Sequence, residues 1–88
     1  MPVDYAQAVQ LYRKAADQGI AQGQANLARM YAHGHGLPKN TRTAYFWWLV
    51  AAEQGNADAQ KNLKLVDQGL SAEDRASAQA DARGWKPK

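Results

Sequence analysis

The sequence contains no cysteine, so neither disulfide bonds nor a thiolate metal site holds it together, and the redox compartment is left open. No apolar run approaches the roughly 18 residues that a membrane-spanning helix needs, so membrane insertion is not expected. The opening residues MPVDYAQAVQLYRK lack the basic start and apolar stretch of a secretory leader. Localisation therefore stays undetermined: cytoplasmic by default, secreted or periplasmic for a chain cut from a longer one. Charge of one sign is not concentrated either. The net charge of +3 comes from 11 Lys and Arg residues spread along the chain with acids between them. That pattern favours solubility over a phosphate-binding stripe, and no groove-reading motif accompanies it, so nucleic acid is not an expected partner.

Catalytic patterns are missing too. There is no paired-carboxylate or Ser-His-Asp arrangement and no phosphate loop, and the G-H-G-L-P stretch has neither the spacing nor the strand-to-helix context of a nucleotide fingerprint. His33 and His35 form an H-x-H pair in a glycine-rich stretch, but no third and fourth ligand has a telling spacing to them, and they read as solvated loop residues. An enzyme is not expected, nor a cofactor or a metal.

What is present is a globular composition, 45% hydrophobic and 22% charged, in a chain of 88 residues with room for one small domain. A core of that size is marginal unless more repeats or a partner help it. The chain also repeats itself. Shifted by 36 residues without a gap, Ala8, Ala15, Ala16, Gln18, Gly19, Ala21, Gln24, Asn26 and Leu27 fall on Ala44, Ala51, Ala52, Gln54, Gly55, Ala57, Gln60, Asn62 and Leu63. A period of this size marks stacked supersecondary units.

The periodicity predicts five helices. Asp4 N-caps the first, whose Ala8, Leu11, Tyr12 and Ala15 follow the i, i+3, i+4, i+7 rule, and Gly19 ends it. The second runs from Ala21 to about His33, with Gln24, Leu27, Ala28 and Tyr31 on one stripe and Gln22, Asn26, Arg29 and His33 toward another. Gly34, Gly36 and Pro38 force a loop, after which Asn40 caps a third helix over Thr41 to Gln54, ended by Gly55. A fourth runs from Ala57 to about Asp67. Ser71 starts the last, with Glu73 and Asp74 in its first turn, and it ends near Arg83 before Gly84.

These residues resemble the Sel-1-like repeat, a relative of the tetratricopeptide repeat with a longer glycine-bearing loop. The matching positions are Ala21, Leu27 and Tyr31, then Gly34, Gly36 and Leu37, then Ala44, Trp47, Ala51, Ala52 and Gly55. Asn40 stands where the family usually has Asp, and Ala28 where it usually has Gly, each keeping the physical job. The resemblance implies an all-α fold, a right-handed α/α superhelix of antiparallel helix pairs. It divides one domain, 1–88, into the second helix of a preceding repeat (4–19), a complete repeat (20–55), the first helix of a following repeat (56–70), a C-terminal cap helix (71–84) and a tail (85–88). It implies an adaptor or scaffold that binds a protein or peptide. The alternative is a structural or self-associating fragment of a longer array, because about three repeats are normally wanted and roughly two are here; a homo-oligomer follows from that reading.

Within this frame the residues divide by task. Leu27, Tyr31, Ala44, Trp47, Trp48, Ala51 and Leu63 are expected in the core, and Gly19, Gly34, Gly36 and Gly55 in loops. Asn26 and Asn62, on the helix that lines the concave surface in related solenoids, offer a donor and an acceptor each to a peptide backbone, flanked by Arg29, Met30 and His33. The same amides would equally serve to set the stacking of neighbouring helices. Phe46, Leu49 and Val50 stand where the earlier copy has Gln10, Arg13 and Lys14, so repeat packing does not demand them. They are expected either beneath the cap helix, or with Phe46 and Val50 against the loop, or at a surface for a partner or for self-association.

Overall fold

The structure, a computed structural model, describes residues 4–66 and 69–87. Five α-helices make up the described chain: α1 (Tyr5–Asp17), α2 (Ala21–His33), α3 (Thr41–Glu53), α4 (Ala57–Val66) and α5 (Ala72–Arg83). The expected end of the fourth helix at Asp67 lies outside the described residues. Side-chain caps fix most of the helix starts. Asp4, Asn40 and Ser71 accept hydrogen bonds from the backbone N–H groups of Gln7, Thr43 and Asp74, and Asn56 does the same for Ala59. Each satisfies one of the amides that the first turn of a helix leaves without a partner. The ends of α1 and α3 close identically. Ile20 N–H reaches Ala15 O and Gly19 N–H reaches Ala16 O, and 36 positions later Asn56 and Gly55 do the same to Ala51 and Ala52.

α1 packs on α2, α2 on α3 and α3 on α4, the stacking of a helical solenoid, after which α5 folds back onto α3. The core runs along this stack through Val9, Ala16, Leu27, Ala28, Ala44, Trp47, Trp48, Ala51 and Ala59. Alanines and Gly23 dominate the α1–α2 contact because the helices lie close. A Cβ added to Gly23 would come 2.5 Å from the Ala15 Cβ. Tyr31 and Leu63 are half-buried at the margin of this core.

The two copies differ where their neighbours differ. At about 100° per residue, Gly23 faces α1, and Ala25 and Ala28, both buried, are turned toward α3. Their equivalents on α4 are Lys61 and Lys64, both exposed. The face of α4 that would receive the next helix is thus built for water, and α5 settles on α3 instead. At the other end Leu11 is 63% exposed although its equivalent Trp47 is 7% exposed, because α1 has a helix on one side only among the described residues.

The 34–40 loop is pinned at both ends. Asn40 N–H donates to Tyr31 O at 2.9 Å, and the ring of His35 stacks on Tyr5 at 4.4 Å. Gly36, at φ 79°, lies so close to α1 that a Cβ there would meet Tyr5 O at 2.6 Å. Gly55, at φ 89°, has open space around the same position. Gly55→Ala is therefore expected to cost about 1–2 kcal/mol, the penalty of a left-handed residue with a Cβ. Gly36→Ala meets that penalty and a backbone clash, so its melting temperature should fall clearly below that of Gly55→Ala in a thermal scan. Equal melting temperatures would show that the loop lifts off α1 without loss.

Candidate functional site

Two surfaces carry the residues singled out from the sequence. The first is the polar side of α2. Gln22, Arg29 and His33 are exposed on it and Asn26 is half-buried, bonded on both sides through its oxygen. Gln22 Nε2 donates to Asn26 Oδ1 at 3.2 Å and Arg29 donates to the same atom at 3.3 Å. These bonds leave the two Nδ2 hydrogens of Asn26 unspent among the described residues. Its equivalent on α4 is wired the other way. Asn62 donates from Nδ2 to the Asp58 carbonyl at 2.8 Å, which leaves its Oδ1 to accept. Asn56 joins the two helices, capping α4 while its Nδ2 donates to Gln22 Oε1 at 3.4 Å.

Met30 does not belong to this stripe. It is 9% exposed and lies in the core cluster, one residue and about 100° round the helix from Arg29. His33 stacks on His35, ring centroids 5.4 Å apart, and the row continues onto Tyr5. Among the described residues no group of three His, Asp or Glu side chains is arranged to hold a metal ion. No described helix is long and apolar enough to cross a membrane.

The second surface is the outer side of α3, where α5 lies. Val50 is buried, and Phe46 and Leu49 are half-buried. Phe46 sits edge-on to Trp47 at 4.9 Å and borders an open groove of about 530 Å³ with Arg42 and Asp81. Leu49 borders a second groove, about 460 Å³, shared with Leu63 of α4 and Ala82 of α5. Arg42 ties the helices together, donating to Asp81 Oδ2 at 2.9 Å and to the Ser77 hydroxyl. With the two side chains 39% and 57% exposed, this ion pair contributes little to stability and fixes the direction of α5 more than its strength.

Two residues that sequence reasoning passed over, and a third that it placed on the packing stripe of α2 without a role of its own, help to organise these surfaces. Tyr45 is 4% exposed, and its hydroxyl accepts from Gln79 Nε2 at 3.5 Å. Trp85 meets Trp47 edge-on at 5.8 Å, so the segment after α5 returns across α3, and Pro87 comes to rest by Gly19. Gln24 is wholly buried, the one polar side chain in the described core. It donates to Ala16 O at 3.2 Å and accepts from Gln54 Nε2 at 2.7 Å, clasping α1, α2 and α3 together. Gln60 repeats the first of these bonds onto Ala52 O at 3.3 Å, and the recurrence of Gln at this position was the signal available.

Stacked helix pairs, a glycine-bearing loop folded back on the preceding helix and a glutamine-to-carbonyl bond that recurs with the 36-residue period describe a helical repeat protein. The model of the Sel1 repeat matches residues 1–20 and again residues 21–56. The chain belongs to the Sel1 repeat family, whose repeats are generally protein-interaction modules.

Proposed function

We propose that the chain is an adaptor or scaffold that holds an extended segment of a protein partner along the polar side of α2 and α4. The observation that carries this reading is the opposite wiring of the two equivalent amides. Asn26 has donors to give and Asn62 an acceptor, the two groups that a peptide backbone presents in alternation. Arg29 lies beside Asn26 and is exposed, which favours a ligand with a carboxylate near that point. No chemistry is assigned to the site.

Selection from a displayed random-peptide library, run in parallel on the wild-type chain and on Asn26→Ala and Arg29→Glu variants, tests the assignment. Peptides selected by the wild type are expected to lose about tenfold or more in affinity for either variant, a loss of about 1.4 kcal/mol. Arg29→Glu should in addition shift the selected set away from acidic sequences. Both substitutions leave the core untouched, so circular dichroism should be unchanged. Peptides that bind all three proteins equally would remove this face from consideration.

A further inference from the structure

α5 is attached to the rest of the chain in an uneven way. It packs on α3, and a groove of about 460 Å³ separates it from α4, the helix that precedes it in sequence. Of its side chains only Ala78 is buried, with Arg75, Ala82 and, just beyond the helix, Trp85 half-buried. The α3 face beneath is more apolar than the repeat demands, because Phe46, Leu49 and Val50 replace Gln10, Arg13 and Lys14 of the earlier copy. Leaving that face uncovered exposes a contiguous apolar patch. A small, specific ligand thus sits on a large, sticky receptor, with Arg42–Asp81 and Trp47–Trp85 setting its register.

We propose that α5 exchanges between two copies of this chain, the α5 and Trp85 of each copy docking on the α3 face of the other. The occupant is chosen by what already fills the site. A second copy supplies the same helix with the same acid opposite Arg42, so monomer and exchanged dimer make the same contacts and differ only in the connection and in association entropy. Lys61 and Lys64 are exposed, so the face of α4 that carries them offers α5 no apolar seat.

Charge reversal separates exchange from simple docking. In Arg42→Asp the receptor repels its own Asp81, and in Asp81→Arg the helix repels its own Arg42. In an exchanged heterodimer of the two variants both contacts are restored, one native and one reversed. Mixed in equal amounts at low salt, where half-exposed charges are least screened, the pair is expected to associate about tenfold more strongly than either variant with itself. Sedimentation velocity should then show a species of twice the chain mass that the unmixed variants lack. Helix content by circular dichroism should exceed the average of the two components, a readout that persists even if each variant alone is partly unfolded. A mixture that sediments as monomers with averaged helix content makes the α5 contact strictly intramolecular and overturns the proposal. Dimers equally abundant in the unmixed variants would place the contact elsewhere, for example on the open face of α1, and overturn it as well.

Discussion

Replacing Trp48 by alanine is expected to remove about 3–5 kcal/mol of stability, the usual cost of deleting a large aromatic side chain from a packed core. Trp48 is 3% exposed, belongs to the central cluster and sits on α3, the helix against which α2, α4 and α5 all pack. A domain of this length has roughly 5–10 kcal/mol to lose. At about 4–8 °C per kcal/mol for chains of this size, the melting temperature should drop by tens of degrees. A fall of only a few degrees would mean that α2 and α4 close over the space, and that α3 is not the central element.

The same position makes a finer test. The indole Nε1 of Trp48 is buried and meets no acceptor among the described residues. Such a group costs about 1–3 kcal/mol against a satisfied one. Phenylalanine at this position gives up part of the ring but also the unpaired N–H, so the two effects oppose each other and the net cost should be far below that of alanine. Trp47 offers no such compensation. Its ring meets Phe46 and Trp85 edge-on, and shortening it loosens the segment that follows α5.

Much of the fold was readable because its determinants are local. Asp4, Asn40 and Ser71 are small polar residues ahead of apolar periodicity, and each caps the helix it precedes. The glycines that end α1 and α3 recur with the period of the repeat, and so do the turn hydrogen bonds they permit. What the sequence hid depends on neighbours distant along the chain. Leu11 and Trp47 are equivalent, yet one is exposed and the other buried, because α3 has helices on both sides and α1, among the described residues, on one. Gln24 and Gln60 are identical letters, yet only Gln24 is enclosed, because α3 closes over α2 and, among the described residues, no helix closes in the same way over α4.

The candidate surfaces show the same division. An apolar surplus at Phe46, Leu49 and Val50 stands out once the two copies are aligned, since alignment removes everything that packing of the repeat requires. The orientation of α5 on that surplus does not stand out, because it rests on contacts between residues far apart along the chain: Arg42 with Ser77 and Asp81, Tyr45 with Gln79, and Trp47 with Trp85. Met30 failed as a surface residue for a simpler reason. Its neighbours Arg29 and Tyr31 are exposed and half-buried, and one step round a helix is enough to turn a side chain from solvent to core.

The buried clasp gives the second large effect and a distinct signature. Gln24→Glu keeps the shape of the side chain and removes its donor, placing an ionised oxygen against the Ala16 carbonyl that Gln24 Nε2 now serves. Gln54 still donates to the other oxygen, but one hydrogen bond does not compensate a charge at a position with 0% exposure. The cost at neutral pH is expected to be about 3–5 kcal/mol. Burial disfavours the ionised form, so the carboxyl in the folded variant titrates above the ordinary value of about 4.3, and the protonated acid recovers a donor for Ala16 O. A folded-state value above the unfolded one means that stability is retained below the unfolded value and lost as pH rises through the folded one. The wild type carries no titratable group at this position, so the difference between wild type and variant, measured by denaturant unfolding across pH, should be small near pH 4 and widen toward neutrality. Gln24→Leu, which removes the bonds without introducing charge, should cost about 1–3 kcal/mol with no such slope. Gln60→Glu, at the exposed copy of the same position, should stay within about 0.5 kcal/mol of wild type throughout. A pH-independent loss in Gln24→Glu would show that the charge reaches water and that α3 does not seal the clasp, which would remove the physical reason for Gln at this point in the repeat.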